Sequence, residues 1–172
     1  MEASRGQGDL IRPRIRQAKV VFGAMIAGVI LCMLVVIALV SPGFDSQFSM
    51  LSLIIFGISA LVGIQALIIP RVVVVGAIRQ LSPALAKLDP EQKEARDLII
   101  TKTMDVWFTA MLIGVAMLEG AAFLNLAVTF IEANAWHLVA AGLFLAMMVV
   151  YFPSENRVLA WIEQRLTDLQ RG

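Results

Sequence analysis

The chain has 172 residues, of which 59% are hydrophobic and 16% are charged, and its formal net charge is +1. A soluble domain of this size is far less apolar, so the composition predicts an integral membrane protein. The near-neutral charge provides no basic surface for nucleic acid, and no nucleic-acid partner is expected.

Four apolar segments predict four transmembrane helices, at about residues 20–40, 50–69, 106–131 and 136–152. For the first segment a cleaved signal peptide is the alternative, but the apolar run is longer than a signal-peptide core and no convincing cleavage site follows it. The second segment either ends near Pro70 or continues to Arg79, giving a span of 50–79. The expected fold class is therefore an all-α membrane protein with a four-span domain over residues 1–152.

The distribution of Lys and Arg predicts the orientation of these spans. Basic residues lie before the first span, between the second and third, and after the fourth, whereas the connections 41–49 and 132–135 contain none. Because basic connections stay on the cytoplasmic side, both termini are expected to be cytoplasmic. The expected location is the bacterial inner membrane.

The cytoplasmic connection over residues 80–105 is expected to be helical. Ser82-Pro83 and Asp89-Pro90 each place a capping residue before a proline at the first helical position, which predicts two short helices. The second of these helices is also able to continue directly into the third span.

The last segment, residues 153–172, is predicted to be an amphipathic helix that Ser154 caps after Pro153. Its apolar side contains Val158, Leu159, Ile162, Leu166 and Leu169. Three locations fit this helix equally well: the inner membrane surface, the charged cytoplasmic connection, or another subunit.

Cys32 is the only cysteine and His137 the only histidine. One chain therefore cannot form a disulfide, a Cys/His metal site or a Ser-His-Asp triad. Since no nucleophile-base pair or cofactor motif is present either, neither an enzymatic activity nor a cofactor is expected.

Glu119 lies in the middle of the third predicted span. A carboxylate at the bilayer centre costs between about 3 and more than 10 kcal/mol, so a residue of this kind usually has a function. The cores of the four spans contain no Lys or Arg that could neutralise it. We therefore expect Glu119 to be protonated unless water or a cation reaches it.

The position of Glu119 along its span indicates which residues of the second span lie at the same depth. Counting from the cytoplasmic ends gives Gln65 if the second helix reaches Arg79, or Ser59 if it stops near Arg71. The expected ion-binding site therefore contains Glu119 and Gln65 or Ser59, with Asn125 as a further neighbour. Small residues four positions apart occur in every span and favour close helix packing.

Residues 108–124 resemble the carboxylate-bearing helix of the c subunit, or proteolipid, of rotary ATPases, in which one Glu also lies mid-helix among small residues. The pair Arg79-Gln80 resembles the Arg-Gln of that family's cytoplasmic loop. This resemblance covers about residues 50–131 and implies a membrane-embedded proton carrier. The chain departs from the family in its longer loop, in the fewer glycines of its second span, and in its first and fourth spans.

Two functions from different classes are consistent with these features. The first is a membrane subunit in which Glu119 binds or carries a proton; a sodium ion is less favoured, because sodium-type proteolipids usually have Ser or Thr where this chain has Gly120. The second is a non-conducting accessory or scaffold subunit, with protonated Glu119 as a hydrogen-bonding group between helices. Both imply a homo-oligomer or a subunit of a larger complex in the lipid bilayer.

Overall fold

The computed structural model describes the backbone of residues 2–40, 49–85 and 93–171, and side chains within residues 11–40, 49–80, 95, 97–162 and 164. It contains five α-helices: α1 (Glu2–Val40), α2 (Met50–Leu85), α3 (Lys93–Glu132), α4 (Ala135–Val150) and α5 (Glu155–Arg171). The predicted all-α class is confirmed.

Three of these helices contain segments long and apolar enough to cross a membrane: Ile11–Val40, Met50–Gln80 and Asp97–Glu132. The segments Ala135–Val150 and Glu155–Ile162 form a pair bent by 62°, which counts as a fourth if the pair is one span. With 16 residues α4 is about 24 Å long, somewhat shorter than a hydrocarbon core of about 30 Å. The described residues therefore contain three or four candidate membrane spans.

The second helix is longer than the shorter sequence-based alternative. It passes through Pro70 and Pro83 and ends at Leu85. The separate short helix predicted to start at Ser82-Pro83 is therefore wrong. Each proline removes one backbone hydrogen bond, but at Pro70, inside the apolar segment Met50–Gln80, a break in the helix would leave more backbone groups without partners.

The third helix begins at Lys93 and continues without interruption into the apolar segment that ends at Glu132. The prediction that the second cytoplasmic helix runs directly into the third span is confirmed. Its predicted cap at Asp89-Pro90 lies outside the described residues.

Two compact units share the helices. The apolar unit comprises residues 22–69 and 112–152, and the charged unit comprises residues 1–21, 70–111 and 153–172. All 14 Lys and Arg residues of the sequence belong to the charged unit. The apolar unit contains three acidic residues and the single histidine: Asp45, Glu119, Glu132 and His137.

The charged unit has a core of its own in which the C-terminal helix is docked. Val158 and Ile162 of α5 are buried in one cluster with residues of α1 (Ile11, Ile15, Ala18) and α3 (Ile100, Met104, Trp107). Ser154 caps α5, since its Oγ accepts from the Arg157 backbone N–H at 3.4 Å. Of the three locations considered for this helix, Val158 and Ile162 of its apolar stripe pack against α3, which continues from the charged connection, and against α1. The side chains of Leu166 and Leu169 lie outside the described residues.

Within the apolar unit, glycines mark where helices approach one another. A Cβ at Gly63 of α2 would lie 3.1 Å from the Phe144 ring of α4, and a Cβ at Gly142 of α4 would lie 3.8 Å from Met33 of α1. By contrast, a Cβ at Gly23 or Gly120 would have no such neighbour within 4 Å. Only part of the predicted small-residue pattern therefore coincides with helix contacts in this chain.

Candidate functional site

Buried polar side chains of the apolar unit form one cluster where α2 begins, α3 ends and α4 begins. We call it the polar network, and its members are Ser49, Ser52, Ser59, Asn125, Glu132, Asn134 and His137. Ser52, Asn125 and His137 have no exposed surface, and Ser59 and Asn134 have at most 2%. Glu132 and Ser49 are half-buried and form its outer end.

A two-residue turn between α3 and α4 positions the outer end of this network. Ala133 has φ 52°, a left-handed conformation that costs a residue with a Cβ about 1 kcal/mol or more. Asn134 then caps α4, because its Oδ1 accepts from the Trp136 backbone N–H at 2.9 Å. Glu132 and His137 are five positions apart in the sequence. The tight turn between them places both side chains beside the same part of α2.

Ser49, which precedes α2, and Ser52 in its first turn contact the Glu132 carboxyl group. Ser49 Oγ lies 2.5 Å from Oε1 and Ser52 Oγ lies 2.6 Å from Oε2, and both distances are those of hydrogen bonds. Ser49 also caps α2, since its Oγ accepts from the Ser52 backbone N–H at 2.9 Å. The carboxylate therefore connects the end of α3 to the first turn of α2.

His137 contacts the network through both ring nitrogens. Nε2 lies 3.0 Å from Ser52 Oγ, and Nδ1 lies 2.8 Å from Asn125 Oδ1. The Phe56 ring stacks on the imidazole with centroids 4.2 Å apart and planes 7° from parallel.

The orientation of the Asn125 amide follows from its other contacts. Nδ2 donates to Ser59 Oγ at 2.7 Å and to the Ala121 carbonyl oxygen at 2.8 Å. A backbone carbonyl only accepts hydrogen bonds, so the amide nitrogen must face Ala121 and the amide oxygen must face His137. Since Oδ1 only accepts, His137 Nδ1 must carry a proton.

Two side-chain pairs define the register between α2 and α3. Ser52 pairs with Glu132, and seven residues further along α2 Ser59 pairs with Asn125, which lies seven residues back along α3. The helices are thus antiparallel in this segment. The same register places Gln65 at the depth of Glu119, each lying thirteen residues from Ser52 and Glu132 respectively.

Gln65 and Glu119 lie at the same depth but do not contact each other, because both side chains point away from the polar network. Each lies six residues from its network neighbour, Ser59 or Asn125. At about 100° per residue, six residues turn a side chain about 120° around its helix. Gln65 is accordingly exposed, and Glu119 is half-buried on a side of α3 that faces α1.

Glu119 itself lies against α1, where a Cβ at Gly28 would be 3.9 Å from its Oε1. Within the described part of the chain it has no hydrogen-bond or ion-pair partner. Of the four residues predicted to form one site, Ser59 and Asn125 contact each other, whereas Glu119 and Gln65 contact neither of them.

Of the polar network, only Ser59 and Asn125 were predicted as site residues from the sequence; Ser49, Ser52, Glu132, Asn134 and His137 were missed. A signal was present in the spacing. Asn125, Thr129 and Glu132 recur at intervals of four and three, and Ser52 and Ser59 are seven apart, so each set lies on one helix face. Two facing polar stripes in otherwise apolar helices predict interhelical hydrogen bonds.

The helices and the buried network define an α-helical membrane protein with a polar cluster at one end of its apolar unit. No protein-family model, curated protein or solved structure matches the chain.

Proposed function

We propose that this protein crosses the membrane four times with both termini and the connection over residues 80–105 on the cytoplasmic side. The support is the confinement of all 14 Lys and Arg residues to the charged unit, since basic segments are retained in the cytoplasm. The four helix segments of the apolar unit then cross the bilayer. A cysteine at position 93, but not at 45, should be protected from an impermeant thiol reagent in a Cys32→Ala background.

The function that fits this arrangement best is a membrane subunit that reversibly binds a proton at Glu119. One observation carries the proposal: Glu119 is a half-buried carboxyl group in the apolar unit without a hydrogen-bond or ion-pair partner among the described residues. A carboxyl group in such surroundings is neutral until water or a charged group reaches it. Access to the group therefore controls release of the proton.

An accessory or scaffold subunit is the second candidate, and the polar network favours it. The network links α2, α3 and α4 through buried hydrogen bonds in which Glu119 takes no part. The chain thus has interhelical hydrogen bonds without using Glu119. A buried network of this kind suits a rigid structural subunit. The accessory-subunit hypothesis, however, gave Glu119 a role as a hydrogen-bonding group between helices, and the network does not include it.

The substitution Glu119→Gln separates the two candidates, because Gln retains the size of the side chain but cannot release a proton. In the proton-binding function, the wild type reacts with a hydrophobic carbodiimide at neutral pH, and the variant assembles normally but loses both the labelling and proton flux across vesicle membranes. If proton flux of the variant equals that of the wild type, the proton-binding function is wrong. The mass of the detergent-extracted particle reports whether one or many copies assemble.

A further inference from the structure

The three contacts of the Ser52 hydroxyl limit the protons that the polar network can hold. A hydroxyl group has one proton and two lone pairs, so it makes at most three hydrogen bonds. Ser52 Oγ contacts Glu132 Oε2 at 2.6 Å, His137 Nε2 at 3.0 Å and Asn134 Nδ2 at 3.2 Å. Every hydrogen-bonding position of this oxygen is occupied.

One of the three contacts has a fixed direction. The Asn134 amide oxygen accepts from the Trp136 backbone N–H, so its amide nitrogen faces Ser52 and donates. Ser52 therefore has one lone pair and one proton left for Glu132 and His137. It donates to one of these residues and accepts from the other.

Both possible arrangements contain the same number of protons. If Ser52 donates to the Glu132 carboxylate, it must accept from a protonated Nε2, and His137 is an imidazolium ion because Nδ1 also carries a proton. If Ser52 donates to Nε2, His137 is neutral and Glu132 must be a carboxylic acid that donates to Ser52. In each arrangement the pair Glu132 and His137 holds one proton beyond the ionised carboxylate and the neutral imidazole.

We propose that Glu132, Ser52 and His137 form a proton-binding site that holds one proton, shared between Glu132 and His137 through the Ser52 hydroxyl. The two arrangements interconvert when the Glu132 O–H proton moves to Ser52 Oγ while the Ser52 proton moves to His137 Nε2. Two O–H bonds break, one O–H and one N–H bond form, and the net charge of the site stays zero. This site is separate from Glu119.

Adding or removing a proton breaks the hydrogen-bond pattern. Without the shared proton, the ionised carboxylate and the unprotonated Nε2 compete for the single Ser52 proton. With a second proton, Glu132, His137 and Asn134 all donate toward two lone pairs. A buried polar group left without a partner costs about 1 to 3 kcal/mol, so the one-proton state is the stable one.

Among the described residues of the apolar unit, no other charged side chain lies at this site to bind the shared proton. The apolar-unit segments of α1 (22–40), α2 (50–69) and α4 (135–150) contain no Asp, Glu, Lys or Arg, and the only other acid of α3 in this unit is Glu119. Glu132 is half-buried and is the point of exchange with water, whereas His137 is fully buried. His137 Nδ1 donates to the Asn125 amide oxygen, which does not take up a proton, so the shared proton does not move beyond His137.

The single histidine makes this site directly measurable. We suggest NMR of the full chain in lipid bilayers with ¹⁵N-labelled histidine, together with infrared detection of the Glu132 carboxylic acid as the wild-type minus Glu132→Gln difference. At neutral pH, Nδ1 should be protonated, and the protonated fractions of Nε2 and Glu132 should total one. An unprotonated Nδ1, or a total of zero or two, would overturn the proposal.

Variants provide an independent check. In Glu132→Gln the amide mimics the carboxylic acid, so Nε2 should lack its proton at neutral pH, and any wild-type Nε2–H population should fall about tenfold or more. A protonated Nε2 in this variant would contradict the shared-proton site. Glu119→Gln is the matched control, since it removes a carboxyl group from the same helix and should leave the histidine spectrum unchanged. This control also separates the site from the proposed function, which depends on Glu119 alone.

Discussion

Gly28 of α1 lies directly against Glu119 of α3: a Cβ at Gly28 would be 3.9 Å from the Glu119 Oε1 atom and equally far from the Phe123 ring. That distance is an ordinary van der Waals contact, so the absence of a side chain at Gly28 leaves space beside the carboxyl group. If Glu119 binds and releases a proton, we expect water or a partner group to reach it through this space.

The first prediction concerns this space. Gly28→Ala should fold normally and slow carbodiimide labelling of Glu119 only slightly, whereas Gly28→Leu should fill the space and reduce labelling severalfold. Gly23→Leu is the matched control on the same helix, because a Cβ at Gly23 would have no such neighbour within 4 Å. Equal labelling of the Gly28→Leu and Gly23→Leu variants would mean that the carboxyl group is reached from another side.

The second prediction tests the structural contribution of Asn125. Asn125→Leu leaves Ser59 and His137 Nδ1 without their partner in a buried site, and we expect it to lower the free energy of unfolding by about 2 kcal/mol. Thr129→Val is the control, since the Thr129 hydroxyl bonds only to the Asn125 carbonyl within α3, and it should cost less than about 1 kcal/mol. Denaturation in mixed detergent micelles measures both values.

The third prediction is the pH dependence of stability that a one-proton site requires. In the unfolded chain Glu and His lose their protons near pH 4.3 and 6.5, respectively, as approximate reference values. Above about pH 6.5 the folded site holds one proton more than the unfolded pair, so its contribution to stability should decrease as pH rises. Below about pH 4.3 the unfolded pair holds one proton more, so the contribution should decrease as pH falls.

Glu132→Gln changes this profile in a defined way. Its folded site holds no exchangeable proton, so stability should be independent of pH above about 6.5 and should decrease below that value as the unfolded histidine becomes protonated. Unfolding free energies of the two proteins over the pH range measure the difference. A decrease of equal slope above pH 6.5 in both proteins would exclude Glu132 as the holder of the shared proton.

The fourth prediction uses the left-handed residue in the α3–α4 turn. Gly adopts φ 52° without the steric cost that Ala133 pays, so Ala133→Gly should leave stability unchanged or raise it by up to about 1 kcal/mol. Ala146→Gly, at an exposed position inside α4, should instead lower it by about 1 kcal/mol. If both substitutions destabilise equally, the turn does not have the conformation described.

The fifth prediction concerns the docking of α5 in the charged unit. Val158 is fully buried and Ile162 is 3% exposed, so either substitution to Glu would bury a carboxylate without a partner and should release the helix. Leu159→Glu is the control, because Leu159 is 36% exposed. Proteolysis near Arg157 should increase for the first two variants and stay at the wild-type rate for the third.

The sequence alone determined the class of this protein and most of its helix boundaries. Long uncharged segments must form helices in a membrane, because backbone groups in lipid need partners within the same segment. Ser154 also predicted the start of α5 correctly, since a cap depends only on neighbouring residues. The predicted break at Ser82-Pro83 was wrong, because a local proline signal competes with the continuation of a long helix.

Tertiary structure decided which polar residues meet. The depth of a residue along a helix follows from residue counts, and Gln65 does lie level with Glu119. The direction of a side chain around its helix, by contrast, depends on which neighbours the helix packs against. Ser59 and Asn125 face each other, and turning about 120° from them directs Gln65 outward and Glu119 toward Gly28. His137 joins the network only because the strained turn at Ala133 folds α4 back against α2, a contact that depends on three-dimensional packing rather than on any pattern along the chain.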